Sequence, residues 1–193
     1  MAEQIQLNHM TILHTRENRL IQQIAEGDTD ALHTLYAQYG ARMLAFACRL
    51  VDDVDTAEDI VQESLIVVWQ DAHRYRGKGR VLSWLLGIVH NKARRIYRQR
   101  KHELLETEKE IPAAGQLPEG ILIEGQEKQL LWQRINRLKV EHRAVLDLVF
   151  FYNLSLKETA AVLNCPVGTV KSRLNYAKKA LRGAYLREEN ENE

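Results

Sequence analysis

Apolar residues recur at spacings of three and four along most of this chain, and no stretch alternates as a half-buried strand would, so the pattern predicts an all-α fold. Positions 16–26 read as a short helix stopped by Gly27, after which Asp28 or Thr29 opens a longer one. The stripe of that second helix is Leu32, Leu35, Tyr36, Tyr39, Met43, Phe46, Ala47 and Leu50. Asp55 and Glu58 have capping-box spacing, and Val61, Leu65, Val68, Trp69 and Ala72 give a third helix its buried side as far as about His73. The loop from Tyr75 to Arg80 holds two glycines, which allow backbone conformations closed to other residues. A fourth helix then runs from Val81 to about Lys101, with Leu82, Leu85, Val89, Ala93 and Ile96 along one side.

Past Glu103 the periodicity stops. Two of the three prolines and three glycines fall between there and Gly125, so this stretch reads as a linker between two small helical domains. The expected division is a tail at 1–15, a first domain at 16–102, the linker at 103–125, a second domain at 126–187 and a tail at 188–193. Four helices are expected in the second domain, at 126–138, 141–152, 155–163 and 167–186. The last two carry the sharpest signal in the chain. Ser155 and Glu158 form an S-x-x-E capping box, and Leu156, Thr159, Ala160 and Leu163 face inward. Asn164 tolerates the left-handed conformation that follows many helices, and Pro166 cannot continue one helix but suits the first turn of the next. Val170, Leu174, Ala177 and Leu181 make the buried stripe of the final helix. On its other face lie Thr169, Lys171, Ser172, Arg173, Asn175, Tyr176 and Lys178, donors suited to phosphates and base edges in a major groove. The alternative is a packed hairpin with a solvated basic face.

Net charge, +1 over 193 residues, conceals a sorting into blocks. Seven acidic residues and no lysine or arginine lie between Val51 and His73, whereas ten basic residues and no acidic one lie between Ala72 and His102. The linker is acidic, with Lys109 its only basic residue, and 165–187 is wholly basic. Two basic blocks separated by acidic ones point to two nucleic-acid contacts and a different partner for the acid. No apolar run reaches the roughly 20 residues that span a bilayer and no secretory signal opens the chain, so a cytoplasmic location without membrane insertion is expected. Cys48 and Cys165 read as small packing residues. None of the seven histidines falls in a metal-ligand pair, His90 and His142 read as packing or surface residues, and Gly77-Lys78-Gly79 lacks phosphate-loop spacing. No catalytic residue, metal or cofactor is expected.

The first basic block differs in kind from the final helix, because its cations are interleaved with Tyr75, Trp84, Asn91 and Tyr97. Unpaired DNA asks for that combination: cations for the backbone, flat side chains for stacking and an amide to read an extruded base. Against this, Trp69 and Trp84 have the spacing of core residues, and Asn91 could hydrogen-bond within its own domain.

These motifs together resemble the extracytoplasmic-function sigma factors, two-domain members of the sigma-70 family. Asp55-Thr-Ala-Glu-Asp-Ile-Val-Gln-Glu63 with Trp69 looks like the helix by which such factors grip the β′ clamp of core RNA polymerase, which implies Asp55, Glu58, Asp59, Gln62 and Glu63 as polymerase contacts. Tyr75-Arg-Gly77, Ser83-Trp-Leu85, Ile88 and Asn91 resemble the loop and helix that capture the −10 element as single strand. That implies Tyr75, Arg76, Lys78, Arg80, Asn91, Arg94, Arg95 and Arg98 as −10 contacts. The run from Cys165 to Arg173 resembles the recognition helix that reads the −35 element as duplex, through the residues named above. The family's partners are core polymerase, including the β flap, promoter DNA and, for most members, an anti-sigma factor. Val81, Arg95 and Lys139 depart from the family's usual residues, so no particular −10 sequence carries over. An autonomous helix-turn-helix regulator with an amino-terminal sensor or dimerisation domain is the competing reading.

Overall fold

The structure, a computed structural model, describes residues 16–51, 53–77, 79–107 and 134–191, and among these every regular element is helical. Helix α1 spans 16–25 and stops where Gly27 takes a left-handed φ of +90°. Helix α2, Thr29–Leu50, is capped by Asp28, whose carboxylate accepts from the Ala31 amide at 3.0 Å. Helix α3, Val54–Asp71, is capped two residues earlier than expected, by Asp53 in place of Asp55, its carboxylate accepting from the Thr56 amide at 2.6 Å. Asp55 instead sits in the first turn, where a carboxylate still complements the helix dipole.

A short 3₁₀ turn, Ala72–Arg74, leads into the glycine loop, and α4 then runs Val81–Thr107, six residues beyond Lys101. Helices α2, α3 and α4 pack on one another around Leu35, Met43, Phe46, Ile60, Val68, Leu85 and Val89, with Ile21 and Ile24 of α1 closing the end. Two members of the expected stripes lie outside this core. Tyr36 is 52% exposed, its ring lying over Gly40, and Trp69 is 37% exposed on the outer side of α3. A spacing of three or four fixes which side of a helix is apolar, but a large aromatic at the stripe's edge is left out when no neighbouring helix covers it.

The second half holds α5, Val140–Leu146, α6, Leu156–Val162, and α7, Val167–Glu191. In place of one helix over 141–152, α5 widens into a π turn, Asp147–Phe151, in which the Tyr152 amide donates to the Asp147 carbonyl. The turn keeps Asp147 and Leu148 inside and leaves Phe150 and Phe151 outside, each more than half exposed. The expected capping box is formed: the Glu158 amide donates to Ser155 Oγ at 3.2 Å and the Ser155 amide to Glu158 Oε2 at 2.8 Å. Asn164 takes the left-handed conformation, φ +47°, between α6 and α7.

The two halves share one core. Helix α6 lies on α4, and α5 lies on α2. Between them, the Arg49 guanidinium pairs with the fully buried Asp147 carboxylate at 2.6 Å, and the Tyr152 hydroxyl donates to the Arg42 carbonyl at 2.8 Å. Tyr152 also meets Phe46 edge-on, with ring centroids 5.6 Å apart. Burial pushes Asp147 up to about 7, while the Arg49 and Arg143 charges pull it back.

Candidate nucleic-acid and partner interfaces

Charge and exposure sort onto three surfaces, the first of them on α3. Because apolar Ile60, Val61 and Val68 turn inward, Asp55, Glu58, Asp59, Gln62 and Glu63 are all exposed on the remaining arc. Ile66, 56% exposed, and Trp69 continue that arc toward the helix end. The face therefore joins carboxylates to an apolar tip, a composition suited to a protein partner and unsuited to phosphate. Only Trp69 among its apolar members belonged to the sequence motif. Ile66 was missed, although its place four residues after Gln62 puts it on the same face. Glu63 is already engaged, accepting from Lys92 Nζ of α4 at 2.7 Å.

The second surface is the glycine loop and the outer side of α4. Gly77 and Gly79 have φ of +66° and +98°, backbone that side-chain-bearing residues rarely adopt. These turns bring the Tyr75 hydroxyl to the Gly79 carbonyl at 2.9 Å and set the Tyr75 ring against Trp84, 5.0 Å between centroids. Both rings are half-buried and pack against the edge of the core. Arg76 is exposed beside them, and Lys78 lies outside the described residues. Asn91, Arg94, Arg95 and Arg98 are exposed along α4. Arg80 points elsewhere: its Nη1 donates to the Asn153 carbonyl at 3.2 Å, across the junction with the second half.

The third surface is α7. Val170 and Ala177 are fully buried, leaving Lys171, Ser172, Asn175, Tyr176 and Lys178 exposed and Thr169 and Arg173 half-buried. Tyr176 is not a lone exposed aromatic, since its ring stacks on His142 at 4.3 Å. Lys178 lies 5.5 Å from the Phe150 ring centre, and the Ser172 hydroxyl is turned back to the Thr169 carbonyl at 2.9 Å.

Where the halves meet, the second and third surfaces run together. A cavity of about 700 Å³ is lined by Arg94, Tyr97 and Arg98 of α4 and by Lys139, Arg143 and Arg173 of the second half, over a floor that includes Leu50, Ala93, Ala144 and Leu163. His90 also lines it, held down to about 4 by burial and by the Arg94 and Arg173 charges. Nothing in the sequence brings Lys139 and Arg143 to α4; only the docking does. Among the described residues no group of three potential metal ligands occurs, both cysteines are free thiols, and no helix is long and apolar enough to cross a membrane.

Comparison with known proteins divides the chain at the same place. Residues 35–103 match the family model for Sigma-70 region 2, and residues 128–181 that for Sigma-70, region 4. The chain is 30% identical to the ECF RNA polymerase sigma factor SigW of Bacillus subtilis over 173 residues, 84% of this chain and 92% of that relative. It is 28% identical to the RNA polymerase sigma-H factor of Pseudomonas aeruginosa over 178 residues, covering 86% of this chain and 92% of the relative. Two solved structures share the fold. One is CnrH in complex with the cytosolic domain of CnrY, with TM-score 0.63 and 23% identity over 88% of this chain and 96% of that one. The other is the sigma factor RpoE in complex with the anti-sigma factor NepR from Bartonella quintana, with TM-score 0.65 and 24% identity over 78% and 94%.

Proposed function

The chain belongs to the sigma-70 family as an extracytoplasmic-function RNA polymerase sigma factor, an initiation factor and not an enzyme, and from that premise we propose how its surfaces divide the task. The acidic face of α3 binds the β′ clamp of core polymerase through Asp55, Glu58, Asp59, Gln62 and Glu63, the last of which is also paired with Lys92. The Tyr75 loop and α4 take the −10 element as melted single strand, Asn91 reading a base and Arg76, Lys78, Arg94, Arg95 and Arg98 holding phosphates. Helix α7 reads the −35 element as duplex through Lys171, Arg173, Asn175 and their neighbours. The second half also meets the β flap, an anti-sigma factor holds the protein inactive, and the site of action is the cytoplasm. The observation that carries this reading is the separation of signs: the acidic arc of α3 is exposed on one helix, and the basic arcs of α4 and α7 on two others.

The closed arrangement is not the one that would read a promoter. Elements named −35 and −10 are about 25 base pairs apart, roughly 85 Å of duplex at about 3.4 Å per pair. Arg94, Arg98 and Arg173 line a single small cavity instead. The halves therefore separate before both elements are engaged. Mixing the purified chain with core polymerase tests the whole reading: comigration and RNA synthesis from a specific start are expected. Binding to duplex DNA without polymerase, with no comigration, would restore the autonomous regulator.

A further inference from the structure

Closing the two halves brings like charges together. Arg94 and Arg98 from α4 meet Lys139, Arg143 and Arg173 from the second half around one cavity, with Glu141 the only carboxylate in its lining. Among the described residues, no salt bridge is formed by Arg94, Arg98, Lys139 or Arg173, whereas Arg143 donates to the Asn136 carbonyl at 3.3 Å and its charge also acts on Asp147. Arg94, Arg98 and Lys139 are exposed and Arg173 is half-buried, so water tempers their mutual repulsion, but the summed positive field over the concave lining attracts an anion placed between them. His90, in the same lining, is held down first by burial and then by the Arg94 and Arg173 charges, which act on it from opposite halves.

We propose that this interdomain cavity is a binding site for a compact molecule carrying two or more phosphate groups, which bridges the halves and holds them closed. The volume, about 700 Å³, lies in the range of sites for small ligands. A duplex, whose major groove alone is about 12 Å wide, does not enter it. Guanidinium groups from both sides supply forked donors matched to phosphate oxygens. Tyr97 and the apolar floor of Ala93, Val140 and Leu163 give a flat or apolar remainder of the molecule a wall to lie on. Because Arg94, Arg98 and Arg173 are also proposed promoter contacts, the ligand excludes DNA while it is bound; this consequence rests on the function proposed above.

Lys139 permits a test that leaves those contacts alone. It is exposed and stands at the cap position of α5, where an acidic replacement favours the helix, so Lys139→Glu keeps the fold while reversing one charge of the cavity. Titration calorimetry of the full chain with inorganic tripolyphosphate, at about 0.15 M salt, is expected to give one saturable site per chain, weakened at least tenfold by Lys139→Glu and twofold or more by Lys139→Gln. Adding tripolyphosphate should also reduce binding of a promoter duplex to the unaltered chain more than to the Lys139→Glu variant. No saturable site, more than one site per chain, or equal affinity in both variants overturns the proposal, equal affinity meaning adsorption to a general basic surface. Single-stranded DNA binding to the cavity in place of tripolyphosphate, lost in Lys139→Glu, overturns it too. Transcription by holoenzyme carrying Lys139→Glu, without added phosphate, separates the two readings: it continues if the sigma-factor surfaces are as assigned, whether or not the cavity binds anything.

Discussion

His90 shows how one side chain registers the packing around it. Its folded-state value near 4 lies below the ordinary 6.5, so between those values the unfolded chain binds more protons, and stability present at neutral pH is lost as pH falls from about 6.5 toward 4. At pH 5 the loss from this residue is about 2 kcal/mol. Asp147 acts with opposite sign: a carboxyl that holds its proton up to about 7 when folded contributes stability at acid pH that is lost as pH rises through that value. Comparing urea midpoints at pH 7 and pH 5 for the unaltered chain and His90→Gln isolates the histidine, and the acid-side loss should be smaller in the variant. Asn91 offers a different residue-scale test. Its exposed amide both donates and accepts, so Asn91→Ala in holoenzyme should relax discrimination at one −10 position by about 1 to 3 kcal/mol for the preferred base, whereas Arg98→Ala should weaken all sequences alike and flatten the salt dependence. A panel of all four bases at each −10 position checks both; an unchanged preference with Asn91→Ala removes that residue from the reading site.

At the scale of elements, α3 presents a graded face. Asp59 is exposed with its neighbours Asp55 and Gln62, while Glu63 accepts from Lys92 of the adjacent helix α4. Reversing Asp59 to lysine should weaken assembly with core polymerase by more than tenfold, since a reversed charge at a rim is repelled as well as unpaired. Glu63→Gln should cost less than about 1 kcal/mol in stability, because the pair it breaks is more than half exposed on the carboxylate side. Competition binding to core polymerase measures the first and a denaturant midpoint the second. Equal assembly by Asp59→Lys would place the clamp contact elsewhere. Helix α6 illustrates the opposite case, an element whose ends are fixed locally: the Ser155 and Glu158 box opens it and left-handed Asn164 closes it, whatever it packs against.

The molecule as a whole is set by the junction between its halves. Arg49 and Asp147 are 98 residues apart in sequence, and their pair is almost wholly buried, with side-chain exposures of 11% and 0%. Removing Asp147 strands Arg49, so above about pH 7, where the carboxyl is ionised, Asp147→Ala should destabilise the closed arrangement by about 3 to 5 kcal/mol. Small-angle scattering is expected to show a larger radius of gyration for Asp147→Ala than for the unaltered chain while far-ultraviolet dichroism keeps its helical signal. A variant as compact as the unaltered chain would assign the docking to the remaining contacts between the halves, the packing of α6 on α4 and of Tyr152 against Phe46.

Local chemistry alone determined the helices, the capping box at Ser155, the left-handed Asn164 and the exposed faces of α3 and α7, because each follows from a spacing of a few residues and from side chains meeting their own backbone. Even there the sequence erred by a turn's worth of detail. Asp53 and Asp55 are both acceptable caps, and only the path of the chain entering α3 selects Asp53. Tyr36 and Trp69 have core spacing, yet among the described residues no neighbouring helix covers them and they stay in water. The docking of α6 on α4, the Arg49 to Asp147 pair and the basic cavity were decided by tertiary structure. Contacts across about 100 residues depend on how two apolar surfaces fit, and that fit leaves no periodic mark in either segment.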